Sequence, residues 1–340
     1  MADLEEGVQA HGRHAQGTGR QAGAESGRQG CSKCGKPAAI TLRYASQQLC
    51  QSHFTEMFER RVKRTVRNFR MLRKGETVAV GLSGGKDSCV MLHMLHRISK
   101  SLPIKLFAIT IDEGIAGYRP RSLEVAESVC KALGIPLKVV GFKGEFGKSL
   151  DQLLKEKGEK HSCSYCGVMR RRLLNLCARK FGADKMAIGH NSDDAAQTIL
   201  MNYMRNEPER LARFGPVSGT FDDEKLVPRI KPLFLTPERD VAAYAIMKGI
   251  PVEFSECPYA KNAFRQHVRE ILNRTEEKYP CSKLRVVRTF LAQKGLMQDG
   301  TEKRREKGGN GKEIGRCASC GEPSSGDECS LCRMLKSQVA

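Results

Sequence analysis

The chain has 340 residues, of which 40% are hydrophobic, so it is long enough for one sizeable globular core with small modules attached. No apolar run approaches the roughly 20 residues that span a bilayer, which excludes a membrane protein. The formal net charge of +20 favours a polyanionic partner, although a charge total alone fits a generally basic surface equally well. Tryptophan is absent, so recognition of such a partner would depend more on phosphate contacts than on base stacking.

Residues 1–30 are rich in Gly, Ala, Gln and Arg and contain no hydrophobic centre. A signal peptide would need such a centre, and the acidic residues near the start argue against a transit peptide. We expect this segment to be a disordered tail. Fourteen cysteines in a chain without an export signal then indicate a reducing, cytoplasmic compartment and metal binding in preference to disulfides.

The first cysteines form a set typical of zinc. Cys31 and Cys34 make a CxxC pair, and Cys50 with His53 makes a CxxH pair after a gap of fifteen residues. Tetrahedral zinc requires such an arrangement, because each close pair holds the ion from one side and the gap forms the turn between them. The spacing therefore predicts a structural zinc finger over 31–55, in which all four ligand positions are filled by protein.

A basic helix is predicted next, over 56–75. Apolar residues recur there at helical spacing, while Arg and Lys residues occupy the remaining positions. This pattern fits a contact with an RNA backbone and a solvated charged face equally well.

The stretch 77–88 is predicted to be a buried strand that runs into a glycine-rich turn and then a helix. Such a turn aims backbone N–H groups outward at the positive end of the helix, which suits a phosphate. Two glycines allow close approach of a ligand, two serines add hydroxyl donors and a lysine adds positive charge. These residues are Ser83, Gly84, Gly85, Lys86 and Ser88.

The hexapeptide SGGKDS, residues 83–88, is neither a Walker motif nor a Rossmann fingerprint. Asp87 follows the lysine where a Walker motif has Ser or Thr, and Val80 stands where its first glycine should be. It resembles the pyrophosphate loop (PP-loop) of the N-type ATP pyrophosphatases, which cleave ATP between the α and β phosphates and adenylate an oxygen. A plain glycine turn between strand and helix is the alternative.

Further strands are predicted at 106–111, 137–141 and 186–189, with a helix over 119–133. Strands that alternate with helices predict an α/β fold with a doubly wound parallel sheet, whose ligands bind beyond the carboxyl ends of the strands. Asp193 and Asp194 follow the last strand and would lie on the same rim as the glycine-rich turn. One of them would hold magnesium or move a proton, although a plain helix N-cap explains one of them without any chemistry.

A third cysteine group lies in the middle of the chain. Cys163 and Cys166 form a CxxC pair, and Cys257 is suitably placed to join them. Three ligands are too few for structural zinc but suit a cubane iron–sulfur cluster with one open iron, which can carry an exogenous sulfur. A redox disulfide within the pair and a persulfide on one thiolate fit the spacing equally well.

The C-terminal third is predicted to hold four further segments. A long polar loop over 208–228 would be mobile over the site, a second basic helical segment spans 261–299, and a linker rich in Gly, Lys and Glu spans 300–315. Two CxxC pairs eight residues apart then predict a second zinc finger over 316–335. Its ligands would be Cys317, Cys320, Cys329 and Cys332.

Together these features resemble the tRNA 2-thiouridine synthetase family of PP-loop ATP pyrophosphatases. The match runs from about Cys31 to Cys332 and includes both terminal cysteine sets, SGGKDS, the central CxxC followed by glycine and three arginines, GHNSDD and ECPYA. The resemblance implies an adenine-nucleotide α-hydrolase core over 76–260 between two zinc fingers, each with a structural Zn²⁺. It implies ATP contacts at Val80, Gly81, Ser83, Gly84, Gly85, Lys86, Asp87, Ser88, Arg170 and Gly189.

The resemblance also implies a [4Fe–4S] cluster held by Cys163, Cys166 and Cys257, which favours that hypothesis over its alternatives. In such an enzyme ATP and Mg²⁺ serve to adenylate the C2 oxygen of the wobble uridine of tRNA, and sulfur then replaces it. The three cysteines would be catalytic together with Asp87 and Asp194. The implied partners are tRNA, a ubiquitin-like sulfur carrier and a second thiolation subunit; a homodimer is compatible with this picture and no membrane is involved.

Three rivals remain. Synthesis of 2-thiocytidine on tRNA shares the ATP loop and a cysteine pair but usually lacks the terminal zinc fingers. Lysidine synthesis has no need for three central cysteines. A zinc-finger RNA-binding protein with an inert ATP site belongs to another class, and it predicts that replacing Lys86 leaves the protein's activity unchanged.

Overall fold

The computed structural model describes residues 30–159, 161–219, 223–260, 264–305 and 315–336, without the side chains of 295–305. All but the last residue of the expected disordered tail lies outside these ranges. Within them, every helix is too short or too polar to pass through a lipid bilayer.

The N-terminal module is a small hairpin that continues into a helix. Strand β1 (Ile40–Leu42) pairs antiparallel with β2 (Gln47–Leu49), and helix α1 (Gln51–Asn68) follows directly. The helix thus begins inside the range predicted for the zinc finger, and His53 lies in its first turn. Finger and helix form one continuous piece because buried apolar residues recur along both.

The basic helix α1 turns one of its charged residues toward the core, which its sequence does not predict. Its apolar stripe is buried, as expected. Arg61, however, turns inward and forms an ion pair with the buried Asp240, 2.5 Å away, while also donating to the Tyr44 hydroxyl at 2.7 Å. This cation therefore anchors the N-terminal module to the core and is not part of a solvated face.

The central domain alternates strands and helices around one sheet. Its elements are β3 (Thr77–Gly81), α2 (Lys86–Ser99), β4 (Lys105–Asp112), α3 (Arg119–Leu133), β5 (Leu137–Gly141), α4 (Phe142–Phe146), α5 (Leu150–Lys157), α6 (Ser162–Lys180), β6 (Lys185–Ala187), α7 (Ser192–Met204), α8 (Pro208–Arg213), β7 (Val217–Ser218), β8 (Arg229–Ile230) and α9 (Glu238–Met247). The strand order is β5-β4-β3-β6-β8-β7, and every pair is parallel except β7 with β8. The predicted α/β fold with a mostly parallel sheet is confirmed.

Helices cover both faces of this sheet. On β3, the side chains of Val78 and Val80 pack with α1, α2 and α9, whereas Ala79 between them packs with α4, α5 and α6. This alternation is the period-2 pattern of a strand buried on both sides. The chain leaves β3 toward β4 on one side and later returns to β6 on the other, so the β3–β6 boundary is the switch point where α/β sheets bind ligands.

The predicted long loop over 208–228 is wrong in part, because α8 and β7 lie within it. β7 pairs with β8 as the edge of the sheet, with Val217 opposite Ile230. The segment is therefore held against the core by backbone hydrogen bonds along part of its length.

Two long helices follow the central domain. They are α10 (Phe264–Lys278) and α11 (Ser282–Arg305), and their apolar residues pack against α7 in a third buried cluster. Helix α11 extends six residues into the range predicted as a linker. The sequence TEKRR at 301–305 consists mostly of strong helix formers, which lets the helix continue past Gly300.

The C-terminal module is small and docks on α6. It contains β9 (Gly315–Arg316) paired antiparallel with β10 (Pro323–Ser324), followed by α12 (Ser330–Lys336). Glu322 is buried in the contact and accepts ion pairs from Arg172 at 2.7 Å and Arg179 at 3.0 Å, both on α6. The module thus braces the helix that begins with the central CxxC pair.

Candidate active site

The glycine-rich turn closes on itself through its two serines. The Ser83 N–H donates to Ser88 Oγ at 3.1 Å, the Gly85 N–H donates to Ser83 Oγ at 3.3 Å, and Ser88 Oγ donates to the Gly85 carbonyl at 2.9 Å. Both hydroxyls, predicted as donors to a phosphate, are thus engaged in shaping the turn. The free N–H groups of the first turn of α2, which begins at Lys86, remain the natural anion site.

Two glycines are required for close packing around this turn. Gly84 has φ +84°, and a Cβ there would lie 2.1 Å from the Ser122 carbonyl oxygen. A Cβ on Gly189, at the end of the neighbouring strand, would lie 3.0 Å from the Ser88 nitrogen. The rims of β3 and β6 therefore touch, and the predicted site residues on both rims are brought together.

A chain of charges, buried at Arg119 and Glu113 and exposed at Arg170, connects the turn to the central cysteines. Arg119 donates to the Ser83 carbonyl at 2.9 Å and pairs with Glu113 at 2.9 Å. The other Glu113 oxygen pairs with Arg170 at 2.8 Å, and Arg170 in turn donates to Cys166 Sγ at 3.2 Å. We call these residues the Arg119–Glu113–Arg170 chain.

Sequence reasoning missed two members of this chain, Glu113 and Arg119. A signal was available for the first, because Glu113 follows β4 at the same rim as the turn, where polar residues of an α/β sheet gather. Nothing in the sequence marks Arg119, which lies at the start of α3 and is 3% exposed.

One cavity of about 460 Å³ is lined by Asp87, which lies in the first turn of α2 just after the glycine-rich turn, and by all three central cysteines. Asp87 contributes from α2, Cys163, Cys166 and Arg170 contribute from α6, and Cys257 closes the far wall. Other wall residues include Tyr118, Asn191, Asp194, Gln197, Glu238, Arg265 and Arg269. The cysteines and the predicted nucleotide loop therefore face the same space.

A backbone contact reinforces this proximity. The Glu253 N–H donates to the Gly84 carbonyl at 3.0 Å, and Glu253 forms a parallel bridge with Gly85. Cys257 lies four residues further along the same segment. The third cysteine is thus carried by a strand-like segment that is hydrogen-bonded directly to the turn.

Two of the four carboxylates that line the cavity, those of Asp87 and Asp194, repel each other. Burial raises the pKa of Asp87 to about 6; the charge of Lys86 opposes this shift and that of Asp194 adds to it. Burial likewise raises the pKa of Asp194. Lys86 donates to Asp87 at 3.0 Å and to Glu238 at 2.8 Å, and although burial would lower its pKa, these two acids raise it. A further cation would offset the repulsion between the Asp87 and Asp194 carboxylates.

The two adjacent aspartates after β6 have different roles. Asp193 is buried, accepts the Glu238 N–H at 2.9 Å and pairs with Lys283 of α11, so it holds α9 and α11 in place. Asp194 accepts the Asn191 N–H at 3.1 Å in a capping box, yet it also lines the cavity. Of the two aspartates, only Asp194 both takes part in the helix cap and lines the cavity.

The cysteines fall into two kinds of set. Among the described residues, two sets have ligand atoms that all lie within 4.8 Å of one another: Cys31, Cys34, Cys50 and His53, and then Cys317, Cys320, Cys329 and Cys332. Both fit a single tetrahedral ion. The three central sulfurs do not meet this limit although all are described, so they are too widely spaced for one ion and instead surround a space.

Two of the central thiols, those of Cys166 and Cys257, are poor nucleophiles without help. Burial raises the pKa of Cys166 to about 11, against the opposing charge of Arg170, and burial also raises the pKa of Cys257. Thiols of this kind become thiolates when they ligate a metal. Cys163 is exposed at the cavity, with its Sγ 3.6 Å from the Tyr259 carbonyl. Three such donors around a wide cavity fit a cluster of several metal atoms.

Comparison with known proteins identifies the family of the chain. The chain matches the PP-loop domain family over residues 54–276 and the N-terminal LIM domain of the 2-thiouridine synthetase TtuA over 31–55. It is 36% identical to the tRNA 2-thiolation protein NcsA of Haloferax volcanii, with 90% of this chain and 98% of the relative covered. It is 33% identical to the cytoplasmic tRNA 2-thiolation protein 1 of Danio rerio, with 90% and 87% covered.

Two further matches extend the comparison. The chain is 37% identical to the tRNA-5-methyluridine(54) 2-sulfurtransferase of Pyrococcus horikoshii, over 91% of this chain and 95% of the relative. Its fold matches the solved structure of the U34-tRNA thiolase NcsA from Methanococcus maripaludis with its [4Fe–4S] cluster, with a TM-score of 0.76, 34% identity, and 92% and 97% of the two chains covered. This chain belongs to the PP-loop family of tRNA 2-thiolation enzymes.

Proposed function

We propose that this protein is an ATP-dependent tRNA sulfurtransferase that converts the wobble uridine to 2-thiouridine. The observation that carries the proposal is the cavity of about 460 Å³ that Asp87 of the nucleotide loop shares with Cys163, Cys166 and Cys257. An activating nucleotide and a sulfur source must meet at one base, and this cavity is where they would meet. The thiolases matched over about nine-tenths of the chain support the same activity.

The chemistry follows from a poor leaving group. The C2 oxygen of uridine belongs to a urea-like carbonyl and leaves poorly, so it must first be activated. It attacks the α-phosphorus of ATP, and pyrophosphate departs. The N–H groups at the start of α2 and the Lys86 ammonium stabilise the negative charge of the departing pyrophosphate. Sulfur then attacks C2, and AMP leaves with the original oxygen.

The carboxylates Asp87 and Asp194 suit Mg²⁺. Hard oxygen ligands are what this ion takes, usually one or two carboxylates together with substrate phosphates. Burial raises the pKa of both acids and their mutual repulsion adds to the shift of Asp87, so a bound cation would stabilise their ionised forms. Asn191 donates to one oxygen of Asp87 at 2.9 Å, which holds that carboxylate in orientation.

The three central cysteines fit a [4Fe–4S] cluster, since their sulfurs are too far apart for one ion and line a single cavity. Such a cluster, when bound, keeps one iron without a protein ligand and supplies a place for the sulfur that is transferred. The chain's own part is to place the thiols. Arg170 donates to Cys166 and favours its thiolate form, while Glu113 holds the Arg170 side chain in position.

The remaining partners follow from the same assignment. The two terminal sets fit structural Zn²⁺, because four ligands converge in each and leave no open position. A ubiquitin-like carrier would deliver sulfur, and a second thiolation subunit would assist, in the cytoplasm. The excess of 58 basic over 38 acidic residues suits tRNA as the substrate.

Mass spectrometry of tRNA nucleosides tests the proposal. A strain that lacks this protein should lose 2-thiouridine, and the wild-type gene should restore it, whereas Lys86→Ala and Cys257→Ser should not. Mapping the restored base to position 34 would support the wobble assignment, and mapping it to position 54 would replace that assignment. A change in 2-thiocytidine alone, or restoration by Lys86→Ala, would overturn the proposed activity.

A further inference from the structure

A group of cations beside the active cavity has no acidic partner within the described ranges. Its members come from α6, from the end of β6, from β8 and from α11, and we call them the basic recess. They are Arg171, His190, Arg229, Lys231 and Lys294. By contrast, the cations of the cavity itself are each paired with an acid.

The pairing of the cavity cations shows how unusual the recess is. Arg170 pairs with Glu113, Arg265 pairs with Asp194 and Arg269 pairs with both Glu238 and Glu256. The cavity cations are neutralised by acids of the protein, whereas the cations of the basic recess are not. The recess is therefore available to an external anion.

Lys231 is the most buried member of the recess, at 3% exposure. Its ammonium donates to the Gly215 carbonyl at 2.6 Å and to Ser218 Oγ at 2.9 Å. Lys294 donates to the adjacent Phe214 carbonyl at 2.5 Å. Neutral acceptors fix the positions of both ammonium groups without cancelling their charge, so two cations are held close together at one turn of the chain.

The members of the recess oppose one another's charge. Burial, then Arg229 and Lys294, lowers the pKa of Lys231 to about 7. Burial and Arg171 lower the pKa of Arg229. Bound anions would remove this repulsion.

The recess adjoins the cavity. Arg171 follows Arg170 on α6, and its Nη1 lies 3.1 Å from the position of a Cβ on Gly167, which lines the cavity. His190 follows Gly189, whose backbone packs against the nucleotide loop, and it is exposed to solvent. A chain of phosphates could thus pass from the recess to the cavity mouth.

We propose that the basic recess binds the backbone phosphates that flank the target uridine of the RNA substrate. The inference rests on the proposed function and adds to it the place where the substrate strand is held. A base inserted into an enzyme cavity leaves the stack and brings its neighbouring phosphates to the entrance. Arginine forks and lysine ammonium groups suit such phosphates, and they bind without regard to sequence.

Binding of bulk tRNA, measured by fluorescence anisotropy at several salt concentrations, tests this inference. In the variant Arg171→Gln/Arg229→Gln, tRNA affinity should fall about tenfold or more, and the slope of log K against log salt should shrink by about one for each phosphate that the protein no longer neutralises. The matched control is Lys131→Gln/Lys143→Gln, which removes two exposed cations from α3 and α4. The control should retain most of the wild-type affinity.

Two further measurements separate binding from folding and from ATP. The melting temperature of Arg171→Gln/Arg229→Gln without RNA should equal or exceed that of the wild type, since repulsion is removed. ATP affinity should be unchanged. Lys294→Gln repeats the test at a second position and should weaken tRNA binding in the same direction.

The outcomes distinguish the two proposals. A wild type that thiolates tRNA, with Arg171→Gln/Arg229→Gln as tight and as salt-dependent as the control, would overturn the recess and leave the proposed function intact. Weakened ATP binding with unchanged tRNA binding would assign the recess to the nucleotide and also overturn the inference. A wild type that neither binds nor thiolates tRNA would overturn both.

Discussion

The terminal cysteine sets and the central one use the same ligand chemistry for different ends. At each terminus four ligand atoms lie within 4.8 Å of one another, whereas the three central sulfurs are spread around a cavity of about 460 Å³. A closed set of four leaves no position for chemistry, and an open set of three leaves one. In this account, the convergence of the ligands, more than their identity, separates the proposed structural sites from the proposed reactive one.

Replacing a central cysteine should have the largest effect on activity. Cys257→Ser removes one of three thiols and should lower thiolation by about a hundredfold or more, the scale on which loss of a catalytic group is felt. Anaerobically purified wild type should contain about four irons per chain and absorb broadly in the visible, as [4Fe–4S] proteins do. The variant should lose both signals while its zinc content and melting temperature stay near wild type. Zinc in place of iron in the fresh wild type would contradict the account of the central set.

Breaking the Arg119–Glu113–Arg170 chain should have the second-largest effect. Glu113→Gln leaves the buried Arg119 without its counter-charge and releases the partly exposed Arg170, and the loss at Arg119 should lower the free energy of unfolding by about 3–5 kcal/mol. Thiolation should fall more than ATP affinity, because Arg170 loses its hold beside Cys166. Glu156→Gln is the control, since its pair with Lys148 is exposed and should change stability by about 1 kcal/mol or less. Equal stability losses in the two variants would contradict the connecting role of Glu113.

The contact between the C-terminal module and α6 should matter less. Glu322→Gln weakens two ion pairs with Arg172 and Arg179 and should lower the free energy of unfolding by about 1–3 kcal/mol. Zinc at the C-terminal set should be retained, because Glu322 is not one of its ligands. Chemical denaturation and zinc analysis of the variant would check this, and loss of that zinc would show that the two features are inseparable.

The smallest effect is a dependence on pH. The pKa of Asp87 lies near 6, above its ordinary 3.8, so lowering the pH through 6 protonates it and should weaken Mg²⁺–ATP binding. This protonation favours the folded state between about pH 6 and pH 4, since the unfolded chain takes up its proton only near pH 4. The acid limb of the ATP-binding profile should therefore precede any unfolding due to this group, and it should be absent in Asp87→Asn. An identical limb in Asp87→Asn would assign the titration elsewhere.

Much of the site was visible in the sequence because its residues sit in short local patterns. SGGKDS, the CxxC pairs and GHNSDD each place several ligands within a few residues, and the alternation of strands and helices predicts that their loops share one rim. Helix boundaries were less predictable, because α1 spans Gln51–Asn68 where 56–75 was predicted, and α11 extends six residues into the predicted linker through good helix formers.

Other features depend on contacts between distant parts of the chain. Arg61 pairs with Asp240 and Arg119 reaches Ser83, and no local pattern distinguishes these arginines from the many exposed ones. The engagement of Ser83 and Ser88 in their own turn also requires coordinates, because a serine in a phosphate loop and a serine that shapes the loop look alike in sequence.

Pyrophosphate release and 2-thiouridine formation, followed together in single-turnover reactions with tRNA, ATP and a sulfide source, test the central claim most directly. The claim is that one cavity joins nucleotide activation at the loop to sulfur transfer at the three cysteines. Cys257→Ser should still release pyrophosphate in the presence of tRNA but form no 2-thiouridine, whereas Lys86→Ala should do neither. Formation of 2-thiouridine by Cys257→Ser at the wild-type rate would contradict the account.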